Sequence, residues 1–422
     1  MIPRWAANEL YEILKVQRIA SVVGPRQCGK TTLVESADIR NADFISLDKT
    51  EDLTAARLDP RYLLTRKPGS CVVIDEIQKA PELIGEIKYL VDHDPRPGQF
   101  VLTGSADYRK LPHARESLAG RVDFLRLRTF TAAEILGARP CFLEKALAGE
   151  LRFDVDPSTC GKPHILDLAI RGGYPRVALE TGLPNEARAR WFESYIEQQV
   201  ILDMREQWAV RKENVVRELF PYLAAFSSKL HVSATMSEKL GQNYRTLEKY
   251  TDALKAMFLV DQVRAWAKKD YDRPGKAPKL FMTDSGLMAH ILHVRDSAPL
   301  LLDTSYQASD LVGKLIETWA YNQFAAEADL HPLWTLEHLR TKGHEIDFLL
   351  TNEHGAVLGI EIKASESINV KDFQHLYWFG EHCQTEGTSF RGIVLYAGEK
   401  VLSFGKNCYA VPFAALWANA GQ

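Results

Sequence analysis

An apolar run at residues 19–23 leads directly into a glycine-rich loop that ends in lysine and threonine. The run is short and rich in β-branched residues, which predicts a buried strand. The loop has the pattern G-x-x-x-x-G-K-T. Its glycines let backbone N–H groups wrap a phosphate, and the helix expected after it points its positive dipole end at the same anion. The predicted nucleotide-binding residues are Gly24, Pro25, Arg26, Gln27, Cys28, Gly29, Lys30, Thr31 and Thr32.

Two of these side chains and a downstream acidic pair predict ATP chemistry. We expect Lys30 to lie on the solvent side until it contacts the β- and γ-phosphates of ATP, and Thr31 to ligate Mg²⁺. A second apolar run, 71–74, ends in Asp75 and Glu76. Asp75 is predicted to hold the magnesium water shell, and Glu76 to act as the catalytic base that polarises the attacking water. The alternative is a strand end capped by two solvated acids.

Hydroxyl groups and an arginine extend the predicted site. A third apolar strand, 99–102, is followed by Thr103 and Ser105, which would lie at the carboxyl edge of the sheet, where ligands bind in open α/β folds. One of the two is expected to sense the γ-phosphate. Arg121 is a candidate arginine finger that completes the site of a neighbouring copy, which predicts a homo-oligomer. A surface salt bridge is the alternative for Arg121.

Composition describes an ordinary folded chain. Its 422 residues predict about two to four domains, and 46% hydrophobic with 25% charged residues exclude wholesale disorder. A net charge of −3 means that any nucleic-acid or membrane partner must bind a local patch. The six cysteines form no C-x-x-C pair, which predicts free buried thiols. No apolar run reaches the roughly 20 residues of a membrane span, and the first residues lack a signal-peptide pattern, so we expect a cytoplasmic protein.

The middle of the chain predicts helices. Residues 136–215 fit a helical lid or connector, in which Arg171 either reaches nucleotide or forms a structural turn. Residues 216–290 fit a winged helix, with helices at 219–226, 235–240 and 244–257 before a strand at 259–263. Acidic neighbours dilute its basic face, so a structural or protein-docking role stays open beside DNA binding. The candidate DNA contacts are Asn243, Tyr244, Arg245, Lys249 and Lys255, with Lys268, Lys269 and Arg273 near the wing.

The last segment, 306–422, suggests a restriction-endonuclease-like α/β domain. Two predicted strands joined by a hairpin present Asp347, Glu361 and Lys363, and period-2 alternation puts the last two on one face. The arrangement resembles the PD-(D/E)xK phosphodiesterases, in which two carboxylates hold Mg²⁺ and the lysine steadies water. Glu317, on the preceding helix, is a possible third acid. A pseudo-nuclease that keeps the fold without cleaving is the alternative.

Seven strings spread over nearly the whole chain resemble one family: the bacterial and archaeal AAA-type ATPases that carry a C-terminal domain of unknown function. This resemblance implies an AAA-like ATPase core and leaves the biological task unassigned. Cys28 departs from the small aliphatic residue of many relatives, at a position that contributes backbone. The strings are GPRQCGKTTL (24–33), VIDEIQKAPEL (73–83), LTGS (102–105), LAGR (118–121), RGGYP (171–175), LFMTDSGL (280–287) and EIDF (345–348).

These expectations combine into one architecture and two functional hypotheses. The predicted units are a P-loop, AAA-like parallel-sheet domain (1–135), a helical connector (136–215), a winged helix (216–290) and the nuclease-like α/β domain (306–422). The first hypothesis is an ATPase that couples nucleotide state to DNA handling. The alternative is a signalling or assembly ATPase whose C-terminal half binds a protein partner without nuclease activity.

Overall fold

A computed structural model gives the fold, and it divides the chain into two compact units. The first unit comprises residues 3–129 and 254–259, and the second comprises 130–253 and 260–422. The three units that the sequence predicts after residue 135 fall within the second, except for residues 254–259 of the predicted winged helix, which belong to the first. The structure describes residues 2–37, 39, 41–107, 118–180, 182–206, 208, 210, 212–268, 275–383 and 389–418.

The first unit is built on a five-stranded sheet in which every neighbouring pair of strands is parallel. Its spatial order is β2-β3-β4-β1-β5, so β4 lies between the strand before the glycine-rich loop and the strand before the acidic pair. The strands are β1 (Ile19–Val23), β2 (Ala42–Ser46), β3 (Cys71–Asp75), β4 (Phe100–Gly104) and β5 (Val122–Arg126). The helices are α1 (Ala6–Val16), α2 (Lys30–Ser36), α3 (Thr50–Leu58), α4 (Pro60–Thr65) and α5 (Leu83–His93).

Both faces of this sheet are buried, because helices cover each of them. Alternate strand residues enter two separate apolar clusters: Val72 and Ile74 join one, while Cys71 and Val73 join the other. Helix α5 packs on the first cluster, and α1 and α2 pack on the second. The central strands are therefore mostly apolar, with buried Ser21 in the middle of β1, and the acids and threonine of the site lie where the strands end.

The second unit contains the remaining described helices. Several begin at side-chain caps, which satisfy N–H groups that the first helical turn leaves unpaired. The helices are α6 (Ala132–Ile135), α7 (Phe142–Ala148), α8 (Lys162–Arg171), α9 (Pro175–Ala178), α10 (Asn185–Tyr195), α11 (Leu202–Glu206), α12 (Glu213–Ala225), α13 (Ser233–Leu240), α14 (Tyr244–Ala256), α15 (Ser285–Ile291), α16 (Ala298–Leu302), α17 (Tyr306–Ala328) and α18 (Gln374–His382). A π-helical stretch, Ile196–Ile201, joins α10 to α11.

An eight-stranded sheet runs through the second unit in the order β12-β13-β11-β10-β9-β8-β6-β7. The meander β8-β9-β10 is antiparallel, and β11 returns parallel to β10 after α18. The strands are β6 (Val260–Ala265), β7 (Lys279–Met282), β8 (Thr335–Thr341), β9 (His344–Thr351), β10 (Val357–Lys363), β11 (Phe390–Tyr396), β12 (Leu402–Gly405) and β13 (Cys408–Pro412).

The predicted wing has a second partner. Strand β6 pairs antiparallel with β7, as a wing strand would, and it also pairs parallel with β8. The two strands therefore extend the edge of the C-terminal sheet.

All six cysteines are free thiols, of which three are buried and three half-buried, so the predicted burial is correct for half of them.

Candidate functional site

The glycine-rich loop connects β1 to α2 and depends on its glycines for shape. Gly29 immediately precedes α2 with a φ of 101°, a left-handed conformation that favours glycine. A Cβ atom on Gly24 would overlap the carbonyl oxygen of Leu127, because the loop runs close to that backbone. Cys28 is fully buried, and its thiol donates to the Leu127 carbonyl at 3.4 Å. The departure at this position therefore fills core space and leaves the loop backbone intact.

Lys30 is buried, which corrects the expectation that it lies on the solvent side. Its Nζ donates to the carbonyl oxygens of Gly24 at 3.0 Å and Pro25 at 2.9 Å, and only 5% of the residue is exposed. Sequence pattern alone misses this burial because the partners are backbone atoms of the same loop. The ammonium is thus held within the curve of the loop.

Asp75, at the end of β3, contacts a residue of helix α2 and a residue of strand β4. Thr31 Oγ1, from the first turn of α2, lies 3.2 and 3.1 Å from the two carboxylate oxygens of Asp75. Thr103 Oγ1, from the end of β4, also donates to this carboxylate. The strand order explains the contact, since β4 lies between β1 and β3. The loop threonine and the strand acid therefore face each other, as the sequence predicts.

Glu76 is held by a small polar network. Its backbone N–H donates to Thr103 Oγ1 at 3.2 Å, and Ser105 Oγ donates to its carboxylate at 3.1 Å. Gln78 Nε2 donates to Ser105 Oγ at 3.0 Å and also to the Glu76 carboxylate. Gln78 is the residue that sequence reasoning missed as part of the site. Its position two residues after the acidic pair is the signal that was available.

Arg121 and Thr32 are not part of this cluster. Arg121 precedes β5, whose first residue pairs with the first residue of β1, so Arg121 lies at the edge of the sheet opposite the loop. Its guanidinium binds both carboxylate oxygens of Asp92, at 2.5 and 2.9 Å. The salt bridge is therefore the interpretation that the structure favours, and the homo-oligomer inferred from Arg121 stays a prediction. Thr32 is exposed on α2.

Arg4 supports the loop from outside the predicted residues. Its guanidinium donates to the carbonyl oxygens of Cys28 at 3.0 Å and Arg128 at 2.7 Å. Because it precedes the first helix and matches no motif, nothing in the sequence marks it. Arg4 therefore links the carbonyl of Cys28 in the loop to the carbonyl of Arg128 in the segment that follows β5.

In the second unit, the predicted acids lie together, but around an unpredicted lysine. Ile360 pairs with Phe348, so Glu361 and Asp347 follow as cross-strand neighbours on β10 and β9. Lys279, at the start of β7 and 1% exposed, donates to Asp347 Oδ1 at 3.0 Å. The same ammonium lies 3.1 Å from Glu345 Oε1. Lys279 heads an otherwise apolar strand, yet its partner is 68 residues away and invisible to local pattern.

Electrostatics in this cluster follow from burial and from Lys279. Burial, and then the Asp347 charge, raise the pKa of Glu361 well above its usual range and that of Glu317 to about 7. Burial also favours neutral Asp347, but the Lys279 ammonium and the N–H of Ile362 outweigh it and hold the Asp347 pKa below its usual range. Lys363 is half-buried. Its charge contributes to the lowered pKa of Asp347, and it opposes, without cancelling, the rise in the pKa of Glu361.

The predicted Mg²⁺ between Asp347 and Glu361 does not fit this arrangement. One Asp347 oxygen accepts from Lys279, and the other accepts from the Ile362 N–H at 3.0 Å. Within the described part of the chain, no group of three or more histidine, cysteine or acidic side chains is arranged as a metal site. The sequence correctly placed the acids near one another. It missed the lysine that occupies the cation position.

Comparison with known proteins identifies the region around the loop. Residues 16–136 match the family model described as AAA domain. These residues form an AAA-type P-loop ATPase fold. We call them the AAA domain. Residues 162–298 and 312–416 match two further models, each described as a domain of unknown function (DUF8612 and DUF4143).

Similar whole chains and structures were also found. Uncharacterized proteins of Mycobacterium bovis and Mycobacterium tuberculosis are each 28% identical over 369 residues, covering 87% of this chain and 75% of the relative. The walker-type ATPase of Pyrococcus abyssi has a TM-score of 0.43 at 16% identity, covering 69% of this chain and 96% of that one. RuvB of Thermotoga maritima has a TM-score of 0.28 at 19% identity, covering 61% and 88%.

Outside the AAA domain, the candidate DNA contacts are mostly exposed. Asn243, Tyr244, Arg245 and Lys249 are exposed around the start of α14, as is Lys268 after β6. Lys255 is half-buried. Lys269 and Arg273 lie outside the described residues. No described helix is both long enough and apolar enough to span a membrane.

Proposed function

We propose that the AAA domain binds ATP with Mg²⁺ and hydrolyses it. The observation that carries this proposal is the Asp75 carboxylate, which bonds to Thr31 at the end of the glycine-rich loop and to Thr103 on the next strand. Hydroxyl and carboxylate oxygens are the ligands that Mg²⁺ uses beside nucleotide phosphates. These donors fit a magnesium ion at the point where a phosphate held by the loop would end.

Each side chain then has a distinct role. Lys30 exchanges its carbonyl partners for the β- and γ-phosphates, while Thr31 and Asp75 hold Mg²⁺, which neutralises developing phosphate charge when bound. Glu76 accepts the proton of the attacking water. Ser105 and Gln78 fix the direction of the Glu76 carboxylate. Thr103 contacts both Asp75 and the Glu76 backbone, so it links the metal side of the site to the base.

Isothermal titration of the full chain with ATP and Mg²⁺ tests the binding part. Lys30→Ala should weaken ATP binding by about tenfold or more, because it removes a charge-assisted contact to phosphate. Lys79→Ala is the matched control, since Lys79 is exposed and pairs only with Asp48 among the described residues. Equal affinity in the Lys30 variant and wild type would contradict the proposal. Circular dichroism of both variants reports whether the fold is retained.

We further propose that the second unit contacts DNA through the start of α14. What supports this is the succession of α12, α13 and α14 followed by the antiparallel β6-β7 pair, which is the order of a winged helix. Its last helix begins with exposed Tyr244 and Arg245, and winged modules insert this end into the major groove. Nucleotide state in the AAA domain would then regulate DNA binding.

Fluorescence anisotropy with a labelled duplex tests this contact. Arg245→Ala combined with Lys249→Ala should weaken binding and lower the slope of log affinity against log salt by about one for each phosphate that the protein no longer neutralises. Lys406→Ala is the control, because Lys406 is exposed and pairs with Glu381 at 2.6 Å. If duplex binding is unaffected by the double variant, the protein-docking alternative takes its place.

For the C-terminal strands we propose a binding role without cleavage. The succession α17, β8, β9, β10, α18 and β11 supports a nuclease-like fold. Lys279, however, already neutralises the acid that a nuclease uses to hold metal. Both Asp347 oxygens are bonded, to Lys279 and to the Ile362 N–H, so Asp347 offers no open ligand to the metal that this kind of hydrolysis requires.

A further inference from the structure

A pocket opens in the second unit, and it includes Arg171, which the sequence offered either as a nucleotide contact or as part of a structural turn. Its volume is about 330 Å³. Three arginines line it: Arg171 at the end of α8, Arg188 on α10, and Arg295 after α15. Apolar side chains of Ile170 and Leu183 line it as well. Small-molecule sites commonly have volumes of about 300–1,000 Å³ and a few convergent polar groups. The accessible surface of this pocket is mainly polar, which favours a charged ligand.

The three guanidinium groups differ in the hydrogen bonds that they make with the rest of the protein. Arg188 is fixed, since its Nη2 donates to Asn185 Oδ1 at 3.0 Å and to the Arg295 carbonyl oxygen at 2.5 Å. The guanidinium groups of Arg171 and Arg295 make no hydrogen bond or ion pair with other residues that the structure describes. Burial, and then the positive charge of Arg171, lower the pKa of Arg188. Like charges gathered in one pocket are stabilised by an anion.

The pocket also contains acceptors. Asp167, Glu180 and Asp296 line it beside the arginines. Glu180 pairs with Arg176, and none of the three acids forms an ion pair within 4.0 Å with an arginine of the pocket. Guanidinium groups bind phosphate through paired N–H donors, and carboxylates accept from hydroxyl or amino groups. A bare inorganic anion would use only the first of these features. A ligand with a phosphate at one end and hydroxyl and amino donors at the other would use both.

We propose that this pocket binds a nucleoside monophosphate, with its phosphate on Arg171, Arg188 and Arg295 and its sugar and base toward the carboxylates that line the pocket. No residue of the glycine-rich loop lines the pocket, because every lining residue belongs to the second unit. The proposal does not depend on ATP hydrolysis. It assigns the chain a second ligand, through which the second unit can sense a nucleotide.

The experiment is isothermal titration of the full Lys30→Ala chain with AMP, GMP, CMP and UMP, so that loop binding is suppressed in every measurement. At least one nucleotide should bind with a stoichiometry near one. Adding Arg171→Met or Arg295→Met should weaken that binding by about tenfold or more, since each removes charge-assisted bonds to phosphate. Neither guanidinium bonds to another described residue, so thermal midpoints should change little.

Two further variants sharpen the test. Arg217→Met is the matched control, because Arg217 is an exposed arginine of the second unit that pairs with Glu197, and neither residue lines the pocket. Arg171→Lys keeps the charge and loses the paired donors, so it should bind with intermediate affinity. Failure of all four nucleotides to bind the Lys30→Ala chain would overturn the proposal. Equal affinity in the Arg171→Met and Arg217→Met chains would overturn it too.

Discussion

Glu76 combines an unusual backbone with a well-supported side chain. Its φ is 60°, in the left-handed region that non-glycine residues rarely adopt. The bond from its N–H to Thr103 and the bonds to its carboxylate from Ser105 and Gln78 hold it there. Strained positions of this kind persist where the surroundings over-determine them, often at active sites. The geometry therefore agrees with a positioned base.

Replacing Glu76 by glutamine tests that role. Glu76→Gln keeps the size and a hydrogen-bond acceptor but cannot take a proton at neutral pH. We expect ATP hydrolysis to fall by about 10²-fold or more, the usual scale of general-base assistance, with ATP binding retained. Phosphate release and titration calorimetry measure the two quantities. Glu82→Gln, at an exposed position on the same segment, should behave as wild type. A loss below about threefold would remove Glu76 as the base.

Lys279 is the residue on which the C-terminal cluster depends. It is 1% exposed and lies within 3.1 Å of both Glu345 and Asp347. Removing one partner of a buried ion pair typically costs about 3–5 kcal/mol, because the other charge stays buried without compensation. The remaining acids would then attract another cation.

We therefore predict two effects of Lys279→Met. The free energy of unfolding should fall by about 3–5 kcal/mol, and Mg²⁺ or Mn²⁺ should restore more stability to the variant than to wild type. Urea unfolding with and without each ion measures both effects. Lys276→Met, at an exposed position three residues away, serves as control. Identical ion responses in variant and wild type would contradict the view that Lys279 occupies a cation position. Ion-dependent DNA nicking by the wild type would contradict the non-cleaving role.

At the scale of single elements, the N-terminus of helix α7 is capped by a residue that is far away in the sequence. Cys141 precedes this helix and provides no side-chain cap. Instead, Glu327 of α17 accepts a hydrogen bond from the N–H of Leu143 at 2.8 Å. Complete burial of Glu327 disfavours its charged form. The backbone N–H groups of Leu143, Glu144 and Phe142 favour the charged form, but by less, so the pKa of Glu327 rises to about 8.

This raised pKa predicts a pH dependence of stability. In the unfolded chain Glu327 ionises near its ordinary pKa of about 4.3, whereas the folded chain keeps the proton until about pH 8. The folded state binds more protons in this window, so the free energy of unfolding should fall as pH rises from about 4.3 to about 8. Glu327→Gln should lessen this fall, because glutamine has no proton to lose. Urea titrations at pH 5 and pH 8 measure the difference.

The control for this prediction is Glu150→Gln, which changes an exposed glutamate near α7. It should keep the wild-type pH dependence. If Glu327→Gln follows the same pH profile as wild type, then Glu327 ionises equally in the folded and unfolded states, and burial does not control its protonation.

At the scale of the whole molecule, the sequence predicted the positions that depend on neighbouring residues in the chain. Motif and apolar pattern locate the strand ends, and these ends fix the loop glycines, Thr31, Asp75 and the hydroxyls at the end of β4. The contact between Thr103 and Asp75 also requires β4 to lie between β1 and β3, which no local pattern specifies. The position of Arg121 likewise depends on which end of β5 it occupies.

Contacts between residues far apart in the chain explain where the structure differs from the sequence predictions. Lys279 meets Asp347 across 68 positions, and Glu327 meets Leu143 across 184. The strands of the predicted wing extend a larger sheet because β6 also pairs with β8. In each case the residue type is visible in the sequence, but its partner is set by the tertiary fold. Buried charged residues are therefore the positions where sequence reasoning was least complete.

Phosphate release from ATP by the purified full chain tests the central claim most directly, with wild type and Lys30→Ala compared in Mg²⁺ and in excess EDTA. The loop, Asp75 and Glu76 predict steady turnover by wild type in Mg²⁺, and only background release by the Lys30 variant or in EDTA. Equal phosphate release by the two chains, with circular dichroism showing both folded, would contradict ATP hydrolysis at this site.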